Sequence, residues 1–290
     1  MKINDSVDPK EDLDTQRVLP HRNFGLLTIN TIVVIVVLLT IYSVADNKNY
    51  GWPIVGENLF DGLVLKGLML TFELTVIALI LGLIFGVCLA LMRLHQSSVL
   101  RWLAALYIWL FRGTPLLVQI LFWYNISALY PSIRIGIPWG PTFWSGNVNS
   151  IITAFVAAVL ALGLHEAAFM SEVVRAGIQG VDGGQIEAGK AVGLRSRQVF
   201  FMVTLPQAIR LIIPAIGNRA IAVLKDSSLV SVIGAAELLF SAEVIYGRTY
   251  QTIPLLVVAT IWYLVSVTLL TLIQRYIERM LANKARNADE

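Results

Sequence analysis

Read as apolar and polar positions, the chain is a series of long apolar runs separated by shorter polar stretches. No charged residue occurs from Phe24 to Ala45, from Leu74 to Met92, from Gly113 to Ile133 or from Thr249 to Gln274, runs of 22, 19, 21 and 26 residues. A bilayer core about 30 Å thick takes about 20 helical residues to cross, so each run predicts a membrane-spanning helix. Ile151 to Leu164 is shorter, and extends through Phe169 once His165 and Glu166 are accommodated. Gln207 to Leu224 is interrupted by Arg210 and Arg219. The pattern predicts an all-α integral membrane fold with six spans.

Composition agrees with that reading. Of 290 residues, 57% are hydrophobic and 14% charged, against about a quarter charged in soluble domains. The formal charge of +3 does not point to nucleic acid, because in a membrane protein the placement of Lys and Arg matters more than their sum. The lone Cys88 sits in an apolar run and carries no redox information. Ser43-Val44-Ala45 resembles a signal-peptide cleavage site. The preceding apolar core exceeds the usual 7–15 residues and follows a mixed acidic and basic segment, so an uncleaved anchor is expected.

Loop charge orients the spans. With the N-terminus inside, Lys2, Lys10, Arg17, Arg22, Arg93, Arg101, Arg175, Lys190, Arg195, Arg197, Arg210, Arg275, Arg279, Lys284 and Arg286 lie inside, 15 of 22 basic residues. That asymmetry satisfies the positive-inside rule and puts both termini in the cytoplasm. Trp52, Tyr130, Trp139 and Trp144 then form an outer aromatic belt. Val99 to Phe111 is apolar, but Thr114-Pro115 follows and disfavours helix continuation. This segment is expected to lie along or dip into the inner interface, with the true span starting near Gly113.

The stretch from Gly180 to Ala208 is too long for a simple connector. Val181-Asp182-Gly183-Gly184 is turn chemistry. Gln185 to Val192 suits a helix that Gly193 breaks, and a second short helix, Ser196 to Thr204, stops before Pro206. Val199, Phe200, Met202 and Val203 beside Arg195 and Arg197 give it a sticky face that needs a partner. Glu187-Ala188-Gly189, three residues, Gly193, nine residues, Val203, one residue and Leu205-Pro206 resembles the cytoplasmic signature of ABC importer permeases, with Gly189 and Val203 as small departures. Arg112-Gly113-Thr114-Pro115 with Gln119, Glu172 to Gly177, and Leu224 to Gly234 resemble the polar amino-acid (histidine and glutamine) permease group.

The resemblance covers about 60–278 and implies a type I importer-like five-helix core. It leaves 1–23 as a cytoplasmic tail, 24–45 as an extra N-terminal anchor and 279–290 as a C-terminal tail. It further implies a non-catalytic subunit of the bacterial inner membrane that pairs with an identical or homologous permease. Two ATPase subunits would hold ATP and Mg and dock on the coupling loop, and an extracytoplasmic binding protein would deliver a polar amino acid. A related derivative such as an opine or cystine is the alternative cargo. Phe169, where tyrosine is common, and His165-Glu166 depart from the family's wording.

Charges at membrane depth cost about 2.5–3.5 kcal/mol each on insertion scales and require reasons. Glu172 and Arg175 are three apart and can pair, either as a structural pair or as a gate. Lys225 and Asp226 precede Ser227-Ser228, a helix-interrupting run that either lines the pathway or caps a helix. Glu73 suits the outer interface, while Asn218 and Arg219 suit interhelical hydrogen bonds, with ligand contact as the alternative. There is no phosphate-binding G-x-x-x-x-G-K-[ST] run, so the ATPase is not on this chain. Three scattered histidines and one cysteine give no metal site. An ion-coupled carrier would require inverted repeats and paired broken helices, and neither is visible.

Overall fold

The computed structural model describes residues 24–137 and 141–289. The predicted N-terminal tail, and Trp139 of the aromatic belt, lie outside them. Residues up to Tyr50 form one unit and Gly51 onward another. The first unit holds α1 (Phe24–Asp46) and a 3-10 turn, Lys48–Tyr50. At 23 residues, α1 is about 34 Å long, enough to cross a bilayer. It has no polar stripe, as a helix surrounded by lipid requires. Its Thr31 and Thr40 hydroxyls donate back to the Leu27 and Val36 carbonyls.

The second unit opens with α2 (Trp52–Asn58) and the 33-residue α3 (Gly62–Leu94). Asp61 caps α3, accepting from the Leu63 amide at 2.7 Å. There follow α4 (Ser98–Gly113), α5 (Leu116–Tyr124), a hairpin of β1 (Ser132–Gly136) and β2 (Thr142–Asn147), α6 (Val148–Ile151) and α7 (Ala154–Gln179). Next come α8 (Gly183–Ala191), α9 (Ser196–Val199), α10 (Leu205–Asp226), a 3-10 segment Ser227–Ile233, α11 (Leu238–Thr249) and α12 (Thr252–Asp289). Among the described residues, five helical stretches are long and apolar enough to span a membrane, or six if α4 and α5 count together.

The tightest pairing is α3 against α7, and small residues explain it. Ala78, Gly82, Gly86 and Ala90 recur every fourth position on one face of α3, all buried. A Cβ on Gly82 would lie 2.6 Å from the Glu166 Cγ, and one on Gly86 2.5 Å from the Met170 Cβ. In lipid, where apolar burial drives little helix association, such close approach supplies the packing energy. Leu74, Ala157, Ala158, Ala161 and Leu162 extend this core. At the far end of α3, the Thr71 hydroxyl oxygen accepts from the Leu238 amide at 3.1 Å and ties α3 to the start of α11.

Three expectations need correction. Gly113 to Ile133 is not one helical span: α5 has nine residues, about 13 Å, and a 3-10 turn and β1 follow. Nor is α4 confined to the interface. The Tyr107 hydroxyl donates to the Leu164 carbonyl at 2.8 Å, near the middle of α7, so α4 and α5 form two limbs meeting at 100°. The bend follows from Thr114-Pro115, and Gln119 secures it. Its amide nitrogen donates to the Phe111 carbonyl (2.9 Å), the Thr114 carbonyl (3.1 Å) and the Thr114 hydroxyl (2.8 Å). Finally, the helix after Ser196 does not stop at Pro206. A π-turn over Phe200–Thr204 carries α9 into α10, the Leu205 amide donating to the Phe200 carbonyl. The π-turn rephases the backbone where Pro206 has no N–H to give, and Pro206 falls in the first turn of α10, where none is needed. At the C-terminus α12 remains helical through the segment assigned to a tail.

Candidate coupling surface and membrane cavity

Between α7 and α10 the chain forms a compact knob from α8, α9 and the π-turn. Asp182 caps α8 by accepting from the Gly184 amide at 2.7 Å. The helix ends in a Schellman motif: the Gly193 amide donates to Lys190 at 3.0 Å and the Leu194 amide to Gly189 at 3.2 Å. That closure places Gly193 at φ +85°, a conformation open to glycine at little cost. Gly189 is buried beneath Val199 and Val203. Val181 belongs to a cluster with Ala90, Val174, Ala208 and Ile212, against which Ile186 packs. The knob is therefore anchored to the ends of α3, α7 and α10.

Its outer surface is apolar where a soluble loop would be polar. Val192 is 77% exposed and Met202 67%, with Phe201 beside them under the Arg197 guanidinium. Glu187 is exposed and forms no ion pair among the described residues. Ala188, Leu205 and Pro206 complete the signature, Ala188 on the exposed side of α8 and the other two at the start of α10.

Within the bundle, two pairs of charges are joined among the described residues. Glu172 and Arg175 are bridged at 2.6 Å on α7, and Arg175 also donates to Gln179. Glu166 and Arg219 join α7 to α10 by a bidentate pair: the Arg219 Nε reaches Oε1 at 2.9 Å, and Nη2 donates to Oε2. Glu166 is 1% exposed. It lies twelve residues from one end of α7 and thirteen from the other, close to mid-span. Arg219 stacks over the Phe169 ring at 4.2 Å, and Arg112 over the same ring at 5.0 Å.

A cavity of about 520 Å³ opens beside these groups, walled by Arg112, Phe169, Glu172, Ala176, Leu211 and Arg219 among others. Of the five sequence candidates for the pathway, it contains Glu172, with Arg175 on that carboxylate. Lys225, Asp226 and Ser227 are not among the residues that wall it. Lys225 and Asp226 end α10 two turns beyond Arg219, where the Asp226 carboxylate still acts electrostatically on Arg219 and Glu166, and Ser227 opens the 3-10 segment. The buried Ser227 hydroxyl donates to the Leu224 carbonyl at 2.8 Å and Ser228 to Lys225 at 2.7 Å, so the serines turn the chain into the 3-10 segment. Sequence reasoning did not place Arg112 or Phe169 in a cavity wall, and for Arg219 it preferred the interhelical hydrogen bonds now seen to a ligand contact. The available signal was helical spacing: 166, 169, 173 and 176 fall on one face of α7. Gly113 and Thr114 form the α4–α5 bend next to Arg112, with Pro115 capping α5.

These features have counterparts in known proteins. Residues 78–283 match the family model described as binding-protein-dependent transport system inner membrane component. The arginine transport system permease protein ArgU of Corynebacterium glutamicum is 39% identical over 90% of this chain and 81% of its own. The arginine transport system permease protein ArtQ of Bacillus subtilis is 36% identical over 75% of this chain and 92% of its own. A solved amino acid ABC transporter, crystallised with histidines, is 36% identical and superposes with a TM-score of 0.65, covering 75% of this chain and 94% of that one. The chain belongs to the family of inner membrane components of binding-protein-dependent transport systems.

Proposed function

We propose that this chain is the permease subunit of an ATP-driven importer for polar amino acids, working with a second identical or homologous permease. Both termini and the α8–α9 knob face the cytoplasm. Two ATPase subunits, which carry ATP and Mg, grip the knobs, and a binding protein delivers substrate to the opposite face. The observation that carries this reading is the knob: an exposed apolar surface around Glu187, rigidly closed at Gly193 and rooted in α7 and α10. Movement imposed on it passes directly into two of the helices that wall the cavity. The cavity offers substrate two guanidinium groups, an aromatic ring and the Glu172 carboxylate, groups that match an amino acid's carboxylate and ammonium. ATP-driven closure of the ATPase pair would favour one access state, and loaded binding protein must prefer one state for transport to couple.

The test is reconstitution of the complex in proteoliposomes with a panel of amino acids and their binding proteins. Polar amino acids should stimulate ATP hydrolysis and accumulate inside. Glu187→Lys should abolish ATPase pull-down, and Gly193→Pro should leave hydrolysis uncoupled from uptake. Retained ATPase binding by Glu187→Lys at equal membrane abundance would refute the docking role. Absence of stimulation by every amino acid would refute the substrate class alone.

A further inference from the structure

We propose that the β1–β2 hairpin is an interfacial membrane anchor, seated in the headgroup region of the leaflet on its side, with Arg134 directed to lipid phosphate. The hairpin connects two membrane limbs, α5 ending at Tyr124 and α7 beginning at Ala154. Seven residues separate Tyr124 from β1, and six separate β2 from Ala154, so the hairpin is tethered closely to both limbs. The Val148 amide donates to the Pro131 carbonyl at 3.1 Å and closes its base.

Pairing sorts its side chains into two faces. Ile133 sits opposite Gly146, and Arg134 opposite Ser145. Alternation along the strands then puts Ile133, Trp144 and Gly146 on one face, and Ser132, Arg134, Ser145 and Asn147 on the other. The Trp144 indole covers Gly146 beside the Ile151 side chain, which carries the apolar face toward the start of α7. Phe143 is 70% exposed and Tyr130 64%, with Leu129 and Ile137 also largely exposed. On α5, which precedes the hairpin in the chain, Val118, Leu121 and Phe122 are exposed as well.

Charge selects the occupant. Arg134 is the sole charged residue from Asn125 to Leu164. A docking site for a soluble protein normally carries a polar, charged rim. An aromatic and aliphatic surface with one cation instead suits the interface, where amphipathic segments sink about 5–10 Å into the headgroup and acyl boundary and aromatic rings settle at headgroup level.

The experiment uses the assembled transporter in lipid nanodiscs. In a Cys88→Ser background, Phe143→Cys and, separately, Tyr130→Cys are labelled with an environment-sensitive nitrobenzoxadiazole dye. Lipids carry a doxyl quencher near the headgroup or near the chain end. Both labels should emit blue-shifted light and lose more of it to the shallow quencher than to the deep one. A label on Gln185→Cys in α8 should stay water-like and unquenched. Arg134→Glu should reduce the shift in vesicles containing anionic lipid. Water-like emission at both hairpin positions, insensitive to either quencher, would overturn the proposal. A blue shift appearing only when soluble binding protein is added would overturn it in favour of a protein partner.

Discussion

The Glu166–Arg219 pair offers the sharpest energetic test of the bundle. Glu166 is 1% exposed and the Arg219 side chain 20%, both groups stand near mid-span, and two hydrogen bonds join them. Replacing Glu166 with Met retains the linear chain that packs on Gly82, but removes the carboxylate hydrogen-bonded to Arg219 and leaves the guanidinium with the longer-range field of Asp226 in a low-dielectric setting. Breaking a buried pair from one side costs about 3–5 kcal/mol, consistent with about 2.5–3.5 kcal/mol for an isolated charge at mid-bilayer. Arg219→Met should cost a similar amount plus about 1 kcal/mol for the lost stacking on Phe169. The double variant, with neither charge, should lie within about 1 kcal/mol of wild type plus that stacking loss. The coupling energy, the sum of the two single costs less that of the double variant, should thus be at least about 5 kcal/mol, measured as a double-mutant cycle of unfolding in bicelles. A single-variant cost below about 1 kcal/mol, or a double variant as unstable as the sum of the singles, would refute the claim that the charges support each other.

Gly189→Ala should stabilise the knob by up to about 1 kcal/mol by removing helical glycine's entropy cost. Its Cβ would meet Val199 and Val203 at 3.4 and 3.5 Å, ordinary contact distances, and slower amide exchange in α8 is the readout. Gln119→Leu should cost about 1–3 kcal/mol, because it strips the Phe111 and Thr114 carbonyls of a buried donor. Loss of thermal stability with altered cross-linking between α4 and α5 would register it. Burial pushes the Glu237 carboxyl up to about 7 from its ordinary 4.5, despite donation by the Leu239 and Phe240 amides and the Tyr263 hydroxyl. The folded protein then holds a proton that the unfolded chain releases, so this group's contribution is full below pH 4.5 and lost as pH rises through about 7. Glu237→Gln should flatten that slope in a series of melts across pH, and an unchanged slope would exclude Glu237 as its source.

What could be read from the chain alone divides by range. The knob was legible because its signals are local: Asp182 to begin α8, Gly193 to close it and apolar positions to stick. Membrane spans were legible where a helix is apolar on every face, as in α1, since such a run suits only an apolar solvent. The bend was half legible. Thr114-Pro115 announces a break, but its 100° depends on Gln119 reaching back across five and eight residues. The continuation of α9 into α10 was hidden for a related reason: proline forbids one hydrogen bond, and a π-turn avoids needing it. The ion pair lay furthest from view. Glu166 and Arg219 are 53 residues apart, and each isolated charge announces only that a partner must exist. The partner's identity depends on α3, whose glycines let α7 settle closely enough for Glu166 to lie against Gly82. A tight glycine seam and a buried charge are thus one requirement: water excluded by the seam is water the carboxylate must replace, and Arg219 is the group that replaces it.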